Sequence, residues 1–142
     1  MTKTLSRAVL TSALAVATAT IGAAEEPALW LRYPAISPDG RTIVFSYRGD
    51  LYRVASSGGE AAPLTLHEAH DTRPVWSPDG SQIAFASDRY GNFDVYVISA
   101  KGGQATRLTF HSADDTPFSF TPDGEAVLFG SARIDARSCV QF

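Results

Sequence analysis

One tetrapeptide recurs through this chain and constrains its fold more than any other feature. Ser37-Pro38-Asp39-Gly40 returns as Ser77-Pro78-Asp79-Gly80 and again as Thr121-Pro122-Asp123-Gly124, at offsets of 40 and 44 residues. Other landmarks keep the second offset: Gly58-Gly59 returns as Gly102-Gly103, Leu64-Thr65 as Leu108-Thr109, and His67 as His111. The extra residues fall between Phe85 and Tyr96. Self-similarity at such a period marks a chain built by stacking one supersecondary unit.

Each unit reads as four short strands. Strand a is Pro74–Ser77. The Pro-Asp-Gly that follows is turn chemistry, because Pro presets one dihedral and Asp and Gly supply a local hydrogen bond and a positive φ. Strand b is Gln82–Ala86, with copies at Thr42–Ser46 and Ala126–Gly130. It is apolar on both faces, so both faces should be buried. Its last position is small in every copy (Ser46, Ala86, Gly130), as a closely approaching neighbouring sheet would require. Strand c is Asp94–Ile98, matched by Asp50–Val54. Arg53 and Val97 share a position there, which predicts a partly wet face. Strand d is Ala105–Thr109, matched by Ala61–Thr65; Pro63 has no N–H to donate, so d must be an edge.

Four strands per ~40–45 residues, with a buried inner part and an outer edge, is the blade of a β-propeller. A Greek-key sandwich, the all-β alternative, does not predict one set of turn signals repeating in the same order. The fold class is therefore all-β: an incomplete β-propeller of about two and a half four-stranded blades behind an N-terminal signal peptide. The division is 1–24 signal peptide, 25–33 lead-in, 34–73 blade 1, 74–116 blade 2, and 117–142 a partial blade 3 with an unmatched tail. A propeller closes with ~4–8 blades, each covering its neighbours. The expected partners are thus the rest of a longer chain, or further copies of this one completing a ring in a homo-oligomer.

The signal peptide rests on Lys3 and Arg7, the weakly apolar run Ala8–Ile21 and the small residues Gly22-Ala23-Ala24 before Glu25. The run is short for a membrane span, which needs roughly 20 apolar residues. The expected location is periplasmic or secreted, with no membrane attachment after cleavage. Loss of the basic start takes the net charge from −3 to −5. That excludes a nucleic-acid binder of the usual basic kind. The single cysteine, Cys139, excludes a disulfide framework.

Several clusters invite a chemical reading and do not sustain it. His67-Glu68-Ala69-His70-Asp71 places its histidines three apart in a loop, whereas a zinc-protease pair sits four apart on a helix. Asp71, Asp114 and Asp115 precede strand a and recur, which suits hydrogen bonding to loop amides rather than acid–base work. Asp88, Arg89 and Asp94 surround the b–c turn and predict an Arg–carboxylate pair inside one blade. Cys139 has no histidine near it in sequence to activate it. Trp76, Tyr52 and Tyr96 are assigned to the core. No G-x-S-x-G elbow and no glycine-rich phosphate loop occurs. The reading therefore assigns no catalytic residue, no metal ligand, no cofactor-binding residue and no cofactor, and the chain is not expected to be catalytic alone.

The repeat core Pro-x-Trp-Ser-Pro-Asp-Gly, Ile-Ala-Phe-x-Ser-Asp-Arg, Gly-Asn-x-Asp-Val-Tyr-Val, Gly-Gly and Leu-Thr resembles the WD-like repeat of TolB and the tricorn proteases. The opening Leu29–Gly40 resembles the amino terminus of secreted, tricorn-type serine peptidases. So do Ser87–Asp94 and Phe110–Asp115. TolB carries an α/β domain before its propeller, and no room for one exists between Glu25 and Pro34. The resemblance implies the amino-terminal propeller of a tricorn-like periplasmic serine peptidase. Its role would be substrate access or scaffolding, its ligands would be peptides or proteins, and its catalytic domain lies outside these residues. A TolB-like binding module of the cell envelope is the alternative, as is the propeller of another exported hydrolase.

Overall fold

The computed structural model describes residues 30–133 and the backbone of Cys139–Val140. The signal-peptide reading and the rest of the tail lie outside the described residues. Every regular element is a strand, and no helix occurs among the described residues. The strands are β1 (Arg32–Ile36), β2 (Thr42–Tyr47), β3 (Asp50–Ala55), β4 (Ala62–Pro63), β5 (Asp71–Trp76), β6 (Gln82–Ser87), β7 (Asp94–Ser99), β8 (Thr106–Arg107), β9 (Asp115–Phe120), β10 (Val127–Ser131) and β11 (Cys139–Val140). They form three antiparallel sheets in the orders β1-β2-β3-β4, β5-β6-β7-β8 and β9-β10-β11. The expected blades are present, but their inner strands begin at Arg32, Asp71 and Asp115, two to three residues ahead of the expected starts at 34, 74 and 117, so Asp71 and Asp115 open those strands instead of preceding them. In the third blade, the tail adds a strand in the c position, with Gly130 opposite Cys139 and Phe129 opposite Val140.

The Pro-Asp-Gly turns close the a–b hairpins as their residue types demand. In blade 2 the Ser77 hydroxyl donates to Asp79 Oδ1 at 2.6 Å and accepts the amide of Gln82 at 2.9 Å. Asp79 Oδ1 also accepts the amide of Ser81, and Gly80 takes the positive φ of 70° that only glycine adopts without strain. The turns at Ser37 and Thr121 repeat these bonds.

Strand b is buried on both faces, as its composition requires: Ile83 to Ser87 are inaccessible to solvent. Alternation sends its side chains into two interfaces. Ile83 and Phe85, with Tyr96 and Ile98, meet Val44, Leu51 and Leu64 of blade 1. Ala84 and Val95 meet Val127 and Phe129 of blade 3. Blades thus hold one another through apolar faces, and burial of a Phe or Leu there contributes roughly 1.5–3 kcal/mol. Trp76 and Tyr52 are only half-buried. Trp76 packs at the edge of the first interface and donates to the carbonyl of Ala35 at 3.1 Å, while Tyr52 stacks on Phe45.

Two local expectations need correction. Strand d is two residues long rather than five in both blades, with Pro63 in one copy and Arg107 in the other, so its shortness does not depend on the proline. The hydroxyls of Thr65 and Thr109 then accept the amides of Leu51 and Val95 and draw the chain off the sheet. At Gly130, crowding comes from within the blade: an added Cβ would stand 2.8 Å from the Phe118 ring. The strand c position shared by Arg53 and Val97 is partly exposed in both blades, as expected, and Arg53 also ties the blades together by donating to the carbonyl of Ala100 at 2.8 Å.

Candidate functional site

The inner strands β1, β5 and β9 run side by side. Each feeds its last residues into a Pro-Asp-Gly turn, so the b–c and d–a connections gather at the opposite end of the blades. That end carries most of the polar side chains singled out in the sequence.

Asp71 opens β5 and is fully buried, and Arg89 Nη2 donates to its Oδ2 at 2.9 Å. One repeat later Arg133 donates to the equally buried Asp115 at 2.5 Å. A second pair joins Arg107 to buried Asp94 at 2.6 Å. The expected Arg–carboxylate pair inside a blade therefore exists, but Arg89 takes Asp71 and leaves Asp88 and Asp94 to other partners. Asp88 accepts the amide of His70 at 2.7 Å, and Asp114 accepts that of Phe93 at 3.0 Å. The loop-amide role thus holds for Asp114, while Asp71 and Asp115 serve arginines. Burying a charge demands such a partner.

His67 and His111 have equivalent roles. The Nδ1 of each accepts the amide two residues on, from Ala69 and Ala113, at 3.0 Å. Both rings shape d–a loops. Among the described residues no group of three or more His, Cys, Asp or Glu side chains could hold a metal ion. Cys139 is placed by its backbone in β11.

What the sequence reading missed is a cleft of about 820 Å³ between blades 1 and 2 at this end. Trp30, Arg32, Tyr33, Arg48 and Arg73 line it. Arg48 starts the two-residue turn between β2 and β3, and both turn residues have positive φ, 51° and 97°. Asn-Gly is the usual choice for such a turn. Tyr33 and Arg73 are the bulged residues of β1 and β5, where pairing skips between Arg32 and Ala35 and between Thr72 and Val75. Each guanidinium lies over a ring: Arg73 over Tyr33 at 4.7 Å, Arg48 over Tyr47 at 5.1 Å, and Arg32 over Trp30 at 5.5 Å. The signal available in sequence was slight. Blade 1 carries Leu31 where the later blades carry Asp71 and Asp115, so its first strand brings no carboxylate to this end.

The geometry suits non-covalent binding in loops held by paired blades. It agrees with what the chain resembles. The tricorn protease N-terminal beta propeller domain model matches residues 28–141. The uncharacterized peptidase YuxL of Bacillus subtilis is 46% identical over 55 residues, covering 35% of this chain and 8% of that protein. A TolB-type structure from Agrobacterium tumefaciens has a TM-score of 0.68 at 28% identity, over 80% of this chain and 42% of that one. The tricorn protease structure has a TM-score of 0.62 at 20% identity, over 79% of this chain and 13% of that one, a likeness of fold. The chain spans less than half the length of each of these relatives. With a family model matched across all three blades, the chain belongs to the tricorn protease N-terminal β-propeller family.

Proposed function

We propose that this propeller is the amino-terminal module of an exported, tricorn-like serine peptidase, and that it governs peptide access to a catalytic domain outside these residues. The match of the tricorn N-terminal propeller model to residues 28–141 carries the reading. The local likeness to a Bacillus subtilis peptidase adds to it. The basic and apolar run before Glu25 supports export to the periplasm. Further blades, from the same polypeptide or from other copies, cover the outer faces of blades 1 and 3.

In this role the module binds and orients without making or breaking bonds. Inner-strand side chains such as Tyr33, Ile36 and Phe118 are exposed and give the passage its width and chemistry. A TolB-like module that binds envelope proteins is the second reading, favoured by the 0.68 TM-score at 28% identity to the Agrobacterium structure.

Peptide hydrolysis by the full natural polypeptide tests the choice. The expected result is activity abolished by a serine-reactive phosphonate, with preference between short and long peptides altered by Ile36→Arg or Phe118→Arg. Inert full-length polypeptide that captures envelope proteins supports the TolB-like reading instead.

A further inference from the structure

Among the described residues only four non-glycine residues have positive φ: Trp30, Tyr33, Arg48 and Arg73. All four line the cleft between blades 1 and 2. At nine other positions the same backbone region is taken by glycine. Non-glycine residues there are strained, and such strain collects where a side chain is needed for more than the turn. Among the described residues, the side chains of Arg32, Arg48 and Arg73 make no ion pair and no hydrogen bond, and all three are exposed. The rings beneath hold them in place and leave their donors free.

The carboxylates in the same cleft are already engaged. Asp71 takes Arg89, Asp88 accepts the amide of His70 and faces its Nδ1 at 3.5 Å, and Asp114 accepts the amide of Phe93. The cleft therefore offers three unpaired, oriented guanidinium groups beside exposed rings. Guanidinium forks match carboxylates in geometry and charge.

We infer that this cleft binds an acidic peptide segment, with Arg48 and Arg73 taking Asp or Glu side-chain carboxylates and the rings of Trp30 and Tyr33 flanking its backbone. That a peptide carries these carboxylates rests on the peptide-handling role proposed above. The binding itself needs no catalytic domain, so a peptidase reading that failed would leave it measurable.

The test is calorimetric titration of the full natural polypeptide with a capped, Glu-rich peptide whose termini are acetylated and amidated. A capped Gln counterpart, a neutral peptide with a free carboxyl terminus and inorganic phosphate are titrated beside it. The expected result is saturable binding of the Glu peptide alone, weakened by added salt. The double variant Arg48→Gly, Arg73→Gly should weaken it at least tenfold. Glycine suits both backbone positions, so the thermal midpoint of that variant should hold or rise, which separates lost binding from lost folding. Arg41→Ala, an exposed arginine at a Pro-Asp-Gly turn, should leave binding unchanged. Equal binding of the Gln peptide, equal binding of phosphate or the free terminus, or undiminished binding by the double glycine variant would each overturn the assignment.

Discussion

Arg89 Nη2 stands 2.9 Å from Oδ2 of Asp71, and the Asp71 side chain is wholly shielded from solvent. The contact joins the start of the inner strand of blade 2 to its b–c loop, and Arg133 with Asp115 repeats it one blade on. Removing one partner leaves a buried charge alone, which costs about 3–5 kcal/mol. Arg89→Met should therefore destabilise strongly, and Asp71→Leu combined with Arg89→Met should restore much of the loss. Urea unfolding of the two variants checks it; equal losses would mean the pair is not what fixes the loop.

The Pro-Asp-Gly turns predict a response to acid. Hydrogen bonds from the Ser77 hydroxyl, the Ser81 hydroxyl and the Ser81 amide hold Asp79 down from 3.8 to about 2. Ser37 and the Arg41 amide lower Asp39, and Thr121 and the Glu125 amide lower Asp123. A folded value below the unfolded one adds stability above pH 3.8, lost as pH falls toward about 2. Carboxyl NMR titration should place Asp79 near the lower value and Ser77→Ala should move it up. An unmoved Asp79 would contradict the turn's hydrogen-bond account.

Phe85 and Phe110 should differ sharply. Phe85 is fully buried between blades 1 and 2, while Phe110 is 72% exposed. Phe85→Ala should cost about 3–5 kcal/mol. Phe110→Ala should stay within about 0.5 kcal/mol. Denaturant midpoints of the two variants report the difference.

The strained turn at Arg48 makes a separate prediction. Arg48→Gly removes a side chain from a φ of 51° and should stabilise the fold by about 1 kcal/mol. Thermal unfolding measures it. A loss of stability would show that stacking on Tyr47 outweighs the backbone strain.

Repetition made the blades legible in the sequence. Pro-Asp-Gly, Gly-Gly and Leu-Thr recur because each closes or ends a strand, and strand b is apolar throughout because both its faces are covered. Partner choice was less legible. Asp71 lies eighteen residues from Arg89, and only the folded sheet shows that they meet. The cleft was invisible for a related reason. Arg48 and Arg73 come from different blades, and the bulges that aim Tyr33 and Arg73 depend on pairing register, which no single segment encodes. The short d strands were overextended because the threonine hydroxyls that end them look like strand residues.

The most direct measurement of the central claim is the intact mass of the native protein in a periplasmic extract, identified by peptides from residues 30–133, with peptidase activity followed through the same fractions. The account predicts a polypeptide several times the 15.2 kDa of this 142-residue chain, co-fractionating with serine-dependent peptide hydrolysis. A species no larger than this chain, without hydrolytic activity in its fractions, would contradict it.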